Sequence, residues 1–542
     1  MISAETFPEI ILFNGKVATL IAGQPCAEAL AVGQGCILAV GSSVEILELA
    51  GPNTEKIDLD GRLAIPGFID THFHLYEWAL KRKGVKLDDV SCIEEMVTRV
   101  QAAAEAQPPG QWIMGQGWNE ADWPESRMPS REILDRAVPD HPVLLWRCDL
   151  HLAVANSAAL TLAGIDAGTP DPPDGRIERD ARGEPTGILR ELAINLARQA
   201  VAPPAADQVM EAFEDAIKAL HRLGITGIHD IRLMADEDGA DAFRVFQELD
   251  HQGRLGLRSW VSLPGHRLDE AIALGLRTGF GNDHLRVGHV KYFADGGMGA
   301  RTAWMIDPYL DAEHGMPLMD MAALARDISK ADAAGLSVMV HAIGDRANRE
   351  VIEIFAALEA ARARSGAPAP AIAHRIEHVQ VIRPEDVARL RKLNLALNMT
   401  PANLPLDIKL IDKTMAEKGR WAYAIRSLLD AGAPLMFSSD CPVCDPNPLL
   451  GIHAAVTRQR ADGKPEGGWH PENRITVAEA LQAYTATPAA VHNATELGVL
   501  AVGKKADIAV LSEDILAAPP ARLLGVHIDM TLFDGRIVFR QF

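Results

Sequence analysis

The chain has 542 residues, 48% of them apolar and 23% charged, a globular composition that excludes a disordered, collagenous or disulfide-scaffold protein. Acidic residues outnumber basic ones 73 to 53, for a formal net charge of −20, and no Lys/Arg block offers the basic face that a nucleic-acid partner requires. Six scattered cysteines, a start (MISAETFPEI) without basic and apolar leader regions, and no apolar run of about 18 residues point to a soluble cytoplasmic protein that neither spans nor needs a membrane.

The first ~65 residues read as short strands broken by turns. Ile10–Phe13 runs into Asn14-Gly15, a hairpin signal, and Val17–Ile21, Ala29–Val32 and Cys36–Val40 follow. The last ~45 residues look alike, with a strand at Ala506–Leu511 and a second pair, Met530–Phe533 and Ile537–Phe539, joined through Asp534-Gly535. Neither end has much core of its own, so residues 1–66 and 491–542 are expected to fold together as one small β-sandwich domain.

Between them, eight short apolar strands recur with helical stretches after them: Gly67–His74, Ile225–Asp230, Leu257–Leu263, Leu285–Ala294, Leu336–His341, Ile372–His378, Leu395–Thr400 and Pro434–Asp440. This alternation predicts an α/β fold, a (β/α)₈ TIM barrel over residues 67–490. The stretch from about 85 to about 205 breaks the rhythm with Trp, Pro and Gly and carries its own strand-like piece, Val143–Leu150. It reads as an insertion after strand 1, whose removal leaves about 300 residues, near the usual barrel size. The amphipathic helix Ala205–Leu223 leads back into strand 2.

Polar residues then collect at one end of these strands. Strand 1 ends in Asp70-Thr71-His72-Phe73-His74, and residues two apart on a strand face the same way, so His72 and His74 can serve one metal ion. Alone, a His-x-His pair is a weak signal. Strand 4 adds Lys291, strand 5 ends at His341, strand 6 at His378 and strand 8 at Asp440. The C-terminal ends of barrel strands are where such active sites are built. Histidines that merely fill a core have no reason to gather at that end of successive strands, so a metal site is expected.

The run Ile65-Pro66-Gly67-Phe68-Ile69-Asp70-Thr71-His72-Phe73-His74 resembles the start of an amidohydrolase-superfamily barrel. Asp295-Gly296-Gly297, His341-Ala342-Ile343-Gly344-Asp345-Arg346-Ala347, Arg375-Ile376-Glu377-His378 and Ser438-Ser439-Asp440 resemble the amidohydrolase-3 branch, which includes N-substituted formamide deformylases. Pro142-Val143-Leu144-Leu145 and Gly183-Glu184-Pro185-Thr186-Gly187 resemble that branch's insertion, and the motifs follow the expected order along nearly the whole chain. The resemblance implies two divalent metal ions, zinc first among them. His72 and His74 would bind one ion and His341 and His378 the other. Lys291, as N6-carboxylysine, would bridge both, and Asp440 would touch the first ion and shuttle protons. It further implies hydrolysis of a small-molecule, non-peptide amide, such as an N-formyl or N-acyl amine, by a metal-bound hydroxide. A bare ammonium beside two cations is costly, which favours the carbamate; the plain alternative pairs Lys291 with Asp295 or another carboxylate.

Other features have blander readings. Cys441-Pro442-Val443-Cys444 is a CxxC without a second pair, and reads as two small soft residues in a loop. His151, in the insertion, and Arg301, after strand 4, are candidate substrate contacts. Asp345-Arg346 reads as a helix cap and structural ion pair. Zn²⁺ suits the ligands, as do Mn²⁺, Co²⁺ and Fe²⁺. Two other functions compete: a mononuclear deaminase or cyclic-amide hydrolase of the same superfamily, and a barrel that has lost catalysis and only binds. Such deaminases lack the bridging Lys, and all six candidate ligands are intact here, which favours the hydrolase. A homodimer is the expected assembly.

Overall fold

The computed structural model describes residues 7–542 apart from 22, 121–122, 126, 148–151, 173–174, 203 and 233–238. Two compact units divide the chain: Tyr76–Ala216, and the remainder, Met1–Leu75 with Ile217–Phe542.

The larger unit holds the barrel. Its strands are Phe68–Phe73, Ile225–Asp230, Arg258–Pro264, Leu285–Phe293, Val338–Ala342, His374–His378, Leu395–Met399 and Leu435–Phe437, referred to below as strands 1 to 8. They form one eight-stranded sheet in sequential order, parallel throughout. Most of their residues are buried on both faces, as a parallel sheet sheathed by helices requires. Strands 1 and 8 do not pair by a regular ladder. The seam closes instead through single bonds: the Thr71 hydroxyl to the Phe437 carbonyl at 2.8 Å, the Asp440 amide to the His72 carbonyl at 2.9 Å and the His74 amide to the Cys441 carbonyl at 2.9 Å.

Both chain ends build a sandwich of a four-stranded and a six-stranded sheet, the latter joining Lys16–Ile21, Gln24–Ala27 and Leu63–Pro66 to Ile508–Leu511, Ile528–Phe533 and Arg536–Arg540. Leu12, Leu30 and Ile37 from one sheet meet Ala64, Ile508 and Met530 from the other in a fully buried core. The Asp534-Gly535 turn makes the expected hairpin, with φ of 50° and 76° suited to a primed turn. Asn14-Gly15 does not. Ile10–Phe13 is flanked by Ala29–Gly33 on one side and Glu55–Asp58 on the other, so both its edges are taken. After the turn, Lys16–Ile21 crosses to the second sheet and pairs there with Leu63–Pro66. A turn signal fixes the local reversal, while competition for edges decides the partner.

The unit Tyr76–Ala216 has its own six-stranded sheet, in the order Gly175–Arg179, Pro185–Glu191, Leu152–Ala155, Val143–Arg147, Ile113–Trp118 and Val85–Lys86. Trp118 and Trp123 are buried in its core, their indole N–H groups bonded to the carbonyls of Leu145 and Val90. No helix among the described residues is long and apolar enough to cross a membrane.

Candidate metal centre

The seam between strands 1 and 8 also builds the site. Asp70 is buried and accepts from the Ser439 hydroxyl at 2.6 Å and the Ser439 amide at 3.1 Å. With the Asp440 amide bonded to the His72 carbonyl, this fastens the end of strand 8 onto the His-x-His segment. The Asp440 carboxylate therefore lies against both imidazoles: its Oδ1 is 3.5 Å from His72 Nε2 and 3.3 Å from His74 Nε2. One ligand atom from each of the three residues falls within 4.8 Å of the others.

Both Nδ1 atoms are already occupied. His72 Nδ1 donates to Glu377 Oε2 at 2.6 Å, and His74 Nδ1 to the Ile231 carbonyl at 2.9 Å. Each Nε2 faces the Asp440 oxygen, the orientation metal-binding histidines take when their second nitrogen is anchored.

The other candidates continue the cluster. The His378 ring lies 4.9 Å from that of His72 and 4.5 Å from that of His341. His341 Nε2 is 3.2 Å from the Gly296 carbonyl and 3.7 Å from Asp295 Oδ1. Burial lowers the pKa of His72, His378 and His341, the last to about 3, and the nearby charge of Lys291 adds to it. These imidazoles are neutral near pH 7, as ligation needs.

Lys291 is 3% exposed, and among the described residues its Nζ has no hydrogen-bond partner, lying 4.7 Å over the Phe293 ring. Burial brings its pKa down to about 8 against the pull of Glu377 and Asp440. Asp295 is not its partner. That carboxylate accepts the backbone amides of Ile343, Gly344 and Trp304, and burial raises its pKa to about 7.

Strand alternation alone does not account for this convergence. His378 and Asp440 adopt left-handed backbone, with φ of 69° and 56°, conformations that non-glycine residues rarely take and that gather at functional sites.

Arg301 is held by Asp311 through two bonds of 2.9 Å and by the carbonyls of Met298 and Gly299. His151 lies outside the described residues. Asp345 opens the helix Asp345–Ser365, accepts the Ile306 amide and pairs with Arg383 at 2.7 Å. Cys441 and Cys444 are both buried. Sequence reasoning passed over Glu377, Arg375 and Asp70. The first two carried a usable signal: opposite charges two apart on an otherwise apolar strand share a face and demand each other as partners.

A model of the family described as "Amidohydrolase family" matches residues 55–539. The chain is 33% identical over 515 residues to protein LONG AFTER FAR-RED 3 of Arabidopsis thaliana, covering 93% of this chain and 87% of that one. It is 28% identical over 548 residues to N-substituted formamide deformylase of Arthrobacter pascens, covering 98% of both. Among solved structures, an uncharacterized metal-dependent hydrolase from Pyrococcus furiosus superposes with a TM-score of 0.76 at 30% identity, over 94% of this chain and 99% of that chain.

Proposed function

The chain belongs to the amidohydrolase family, and from that premise we propose that it hydrolyses the C–N bond of a small non-peptide amide, an N-formyl or N-acyl amine, with two divalent metal ions, most simply zinc. The observation that carries this reading is the convergence of His72, His74 and Asp440 within 4.8 Å, beside a buried lysine amine that has no hydrogen-bond partner among the described residues. The deformylase likeness across 98% of the chain supports the substrate class.

His72 Nε2, His74 Nε2 and Asp440 Oδ1 would hold the first ion, and His341 with His378 the second. Two neutral imidazoles bring no negative charge, so the second group needs an anionic oxygen. Lys291 would supply one if its neutral amine added CO₂ and released a proton, since the resulting carbamate carries anionic oxygen donors. When bound, the ions acidify water and polarise the amide carbonyl. Asp440 would take a proton on its carboxylate as water adds to the carbonyl carbon, and deliver it to the nitrogen as the C–N bond breaks. An acid and an amine leave.

Elemental analysis of protein purified without added metal, joined to an activity screen over N-formyl amines, N-acyl amino acids and carbamates, tests this. Two ions per chain with amide turnover support it. One ion per chain with turnover of a ring amidine or cyclic amide supports the single-metal alternative, which the His72/His74/Asp440 group alone could serve. No metal at all removes both.

A further inference from the structure

The residues beneath His72 form a closed circuit of hydrogen bonds. Glu377 is fully buried and uses both carboxylate oxygens: Oε1 accepts from Arg375 Nε at 2.8 Å, while Oε2 accepts from Arg375 Nη2 at 3.0 Å and from His72 Nδ1 at 2.6 Å. Arg375 Nη2 also donates to the carbonyl of Thr71 at 2.7 Å, the residue just before His72. One guanidinium therefore grips His72 twice, by its backbone through Thr71 and by its ring through Glu377. The far side of Arg375 is braced by His229 Nδ1 at 2.7 Å.

This circuit exists because strand 6 breaks its own alternation. Consecutive strand residues face opposite sides, yet Glu377 bonds to His72 and His378 packs against His72 and His341. The left-handed turn at His378 lets both neighbours reach the barrel interior. An ion pair buried this completely contributes little net stability, and apolar replacement is often neutral. Its cost is accounted for if it aims a ligand.

We propose that Glu377, clamped by Arg375, is the positioning residue that fixes the His72 ring with Nδ1–H on the carboxylate and Nε2 directed at the metal. The proposal rests on reading His72 as a ligand. His74 has only a backbone carbonyl at its Nδ1, so the two histidines of the pair are unequal, and His72 is the one whose aim depends on a replaceable side chain.

The test uses the full chain, Zn²⁺ and Co²⁺. Glu377→Gln and the paired change Arg375→Met/Glu377→Leu are compared with the wild type for Zn²⁺ dissociation constant by chelator competition, for the Co²⁺ visible spectrum and for metal-free melting temperature. The paired variant removes both charges together, so no buried charge is left stranded, as a lone change leaves one. Expected are Zn²⁺ binding weakened by about 10- to 100-fold and shifted Co²⁺ bands, with the paired variant melting near the wild type. Wild-type Zn²⁺ affinity and Co²⁺ spectrum in the folded paired variant overturn the proposal and leave the metal site standing. A wild-type chain that takes up neither ion instead overturns the reading of His72 as a ligand.

Discussion

The two halves of the candidate site are built differently. In the first, His72 and His74 are each anchored at Nδ1, their free nitrogens already face a carboxylate, and the seam bonds between strands 1 and 8 hold all three in register. In the second, the His341 and His378 rings meet edge to face 4.5 Å apart, His341 rests on a backbone carbonyl, and among the described residues the adjacent Lys291 amine has no hydrogen-bond partner. On the proposed reading, the first half already brings two imidazoles and a carboxylate within reach of one ion. The second has neutral donors and a basic amine, which can hold a cation only after a change in chemistry. Preorganisation on one side and conditional completion on the other is what the comparison teaches.

The most damaging change should strike the finished half. Asp440→Asn keeps the shape but removes both the anionic ligand and the proton carrier, so kcat/KM on the best amide found by screening should fall by about 10⁴, the upper end for loss of a general acid–base group. Elemental analysis should show the first ion weakened as well; a variant within tenfold of wild type would break the assignment of Asp440. Next in size is Lys291→Ala. It should lose one metal equivalent and about 10²- to 10³-fold in activity, the several kcal/mol that a second Lewis acid supplies. A short carboxylic acid with bicarbonate should partly restore both. Full metal occupancy in this variant would mean that the halves do not differ in the way described.

A smaller effect concerns what braces the second half from behind. Two residues beyond His378, Gln380 donates to Asp407 Oδ2 at 2.6 Å, and Tyr423 donates to the same oxygen at 2.5 Å. Burial raises the Asp407 pKa from 3.8 to about 6, outweighing both hydrogen bonds. The folded state therefore holds this proton more tightly than the unfolded chain. The resulting stability is complete below about pH 4 and is lost as pH rises towards 6, then stays level. Asp407→Asn keeps an acceptor for Gln380 and Tyr423 and removes the titration. The wild type should thus lose of order 1–3 kcal/mol relative to the variant between pH 4 and pH 6, read as the difference between paired urea melts. A difference that does not move with pH would show that Asp407 stays ionised in the fold.

Much of this architecture was legible in the residues. All eight barrel strands stand where apolar runs ended in turn signals, and Ile225–Asp230 matches residue for residue, because burial on both faces leaves little choice of composition. The gathering of polar residues at strand ends was legible for the same reason: a His or Lys closing an apolar run is conspicuous. What stayed hidden depends on backbone and competition. The pairing of Ile10–Phe13 was settled by two later segments that claimed its edges. The reach of Glu377 to His72, unlike its pairing with Arg375, was hidden by the alternation rule itself, since a ligand at 378 argues that 377 points away, and nothing in a histidine announces a φ of 69°. The anchors of the imidazoles were invisible because they are contacts between strands 1 and 6, or with the carbonyl of Ile231, rather than patterns along either.

The CxxC beside Asp440 should yield the smallest effect, and its smallness sharpens the contrast between the halves. Cys444 Sγ donates to Asn403 Oδ1 at 2.5 Å, and burial pushes its thiol pKa well up, so the thiolate that metals and oxidants require is scarce. Cys441 serves through its backbone, its carbonyl accepting the His74 amide and its amide bonded to the Ser439 hydroxyl. Serine at either position retains those backbone bonds, and a hydroxyl in place of the Cys444 thiol can still donate to Asn403. Cys441→Ser/Cys444→Ser should therefore keep its full metal content and stay within about twofold of wild-type activity, well inside the tenfold that about 1.4 kcal/mol represents. Loss of one metal equivalent in this variant would bring a thiol into the ligand set beside Asp440.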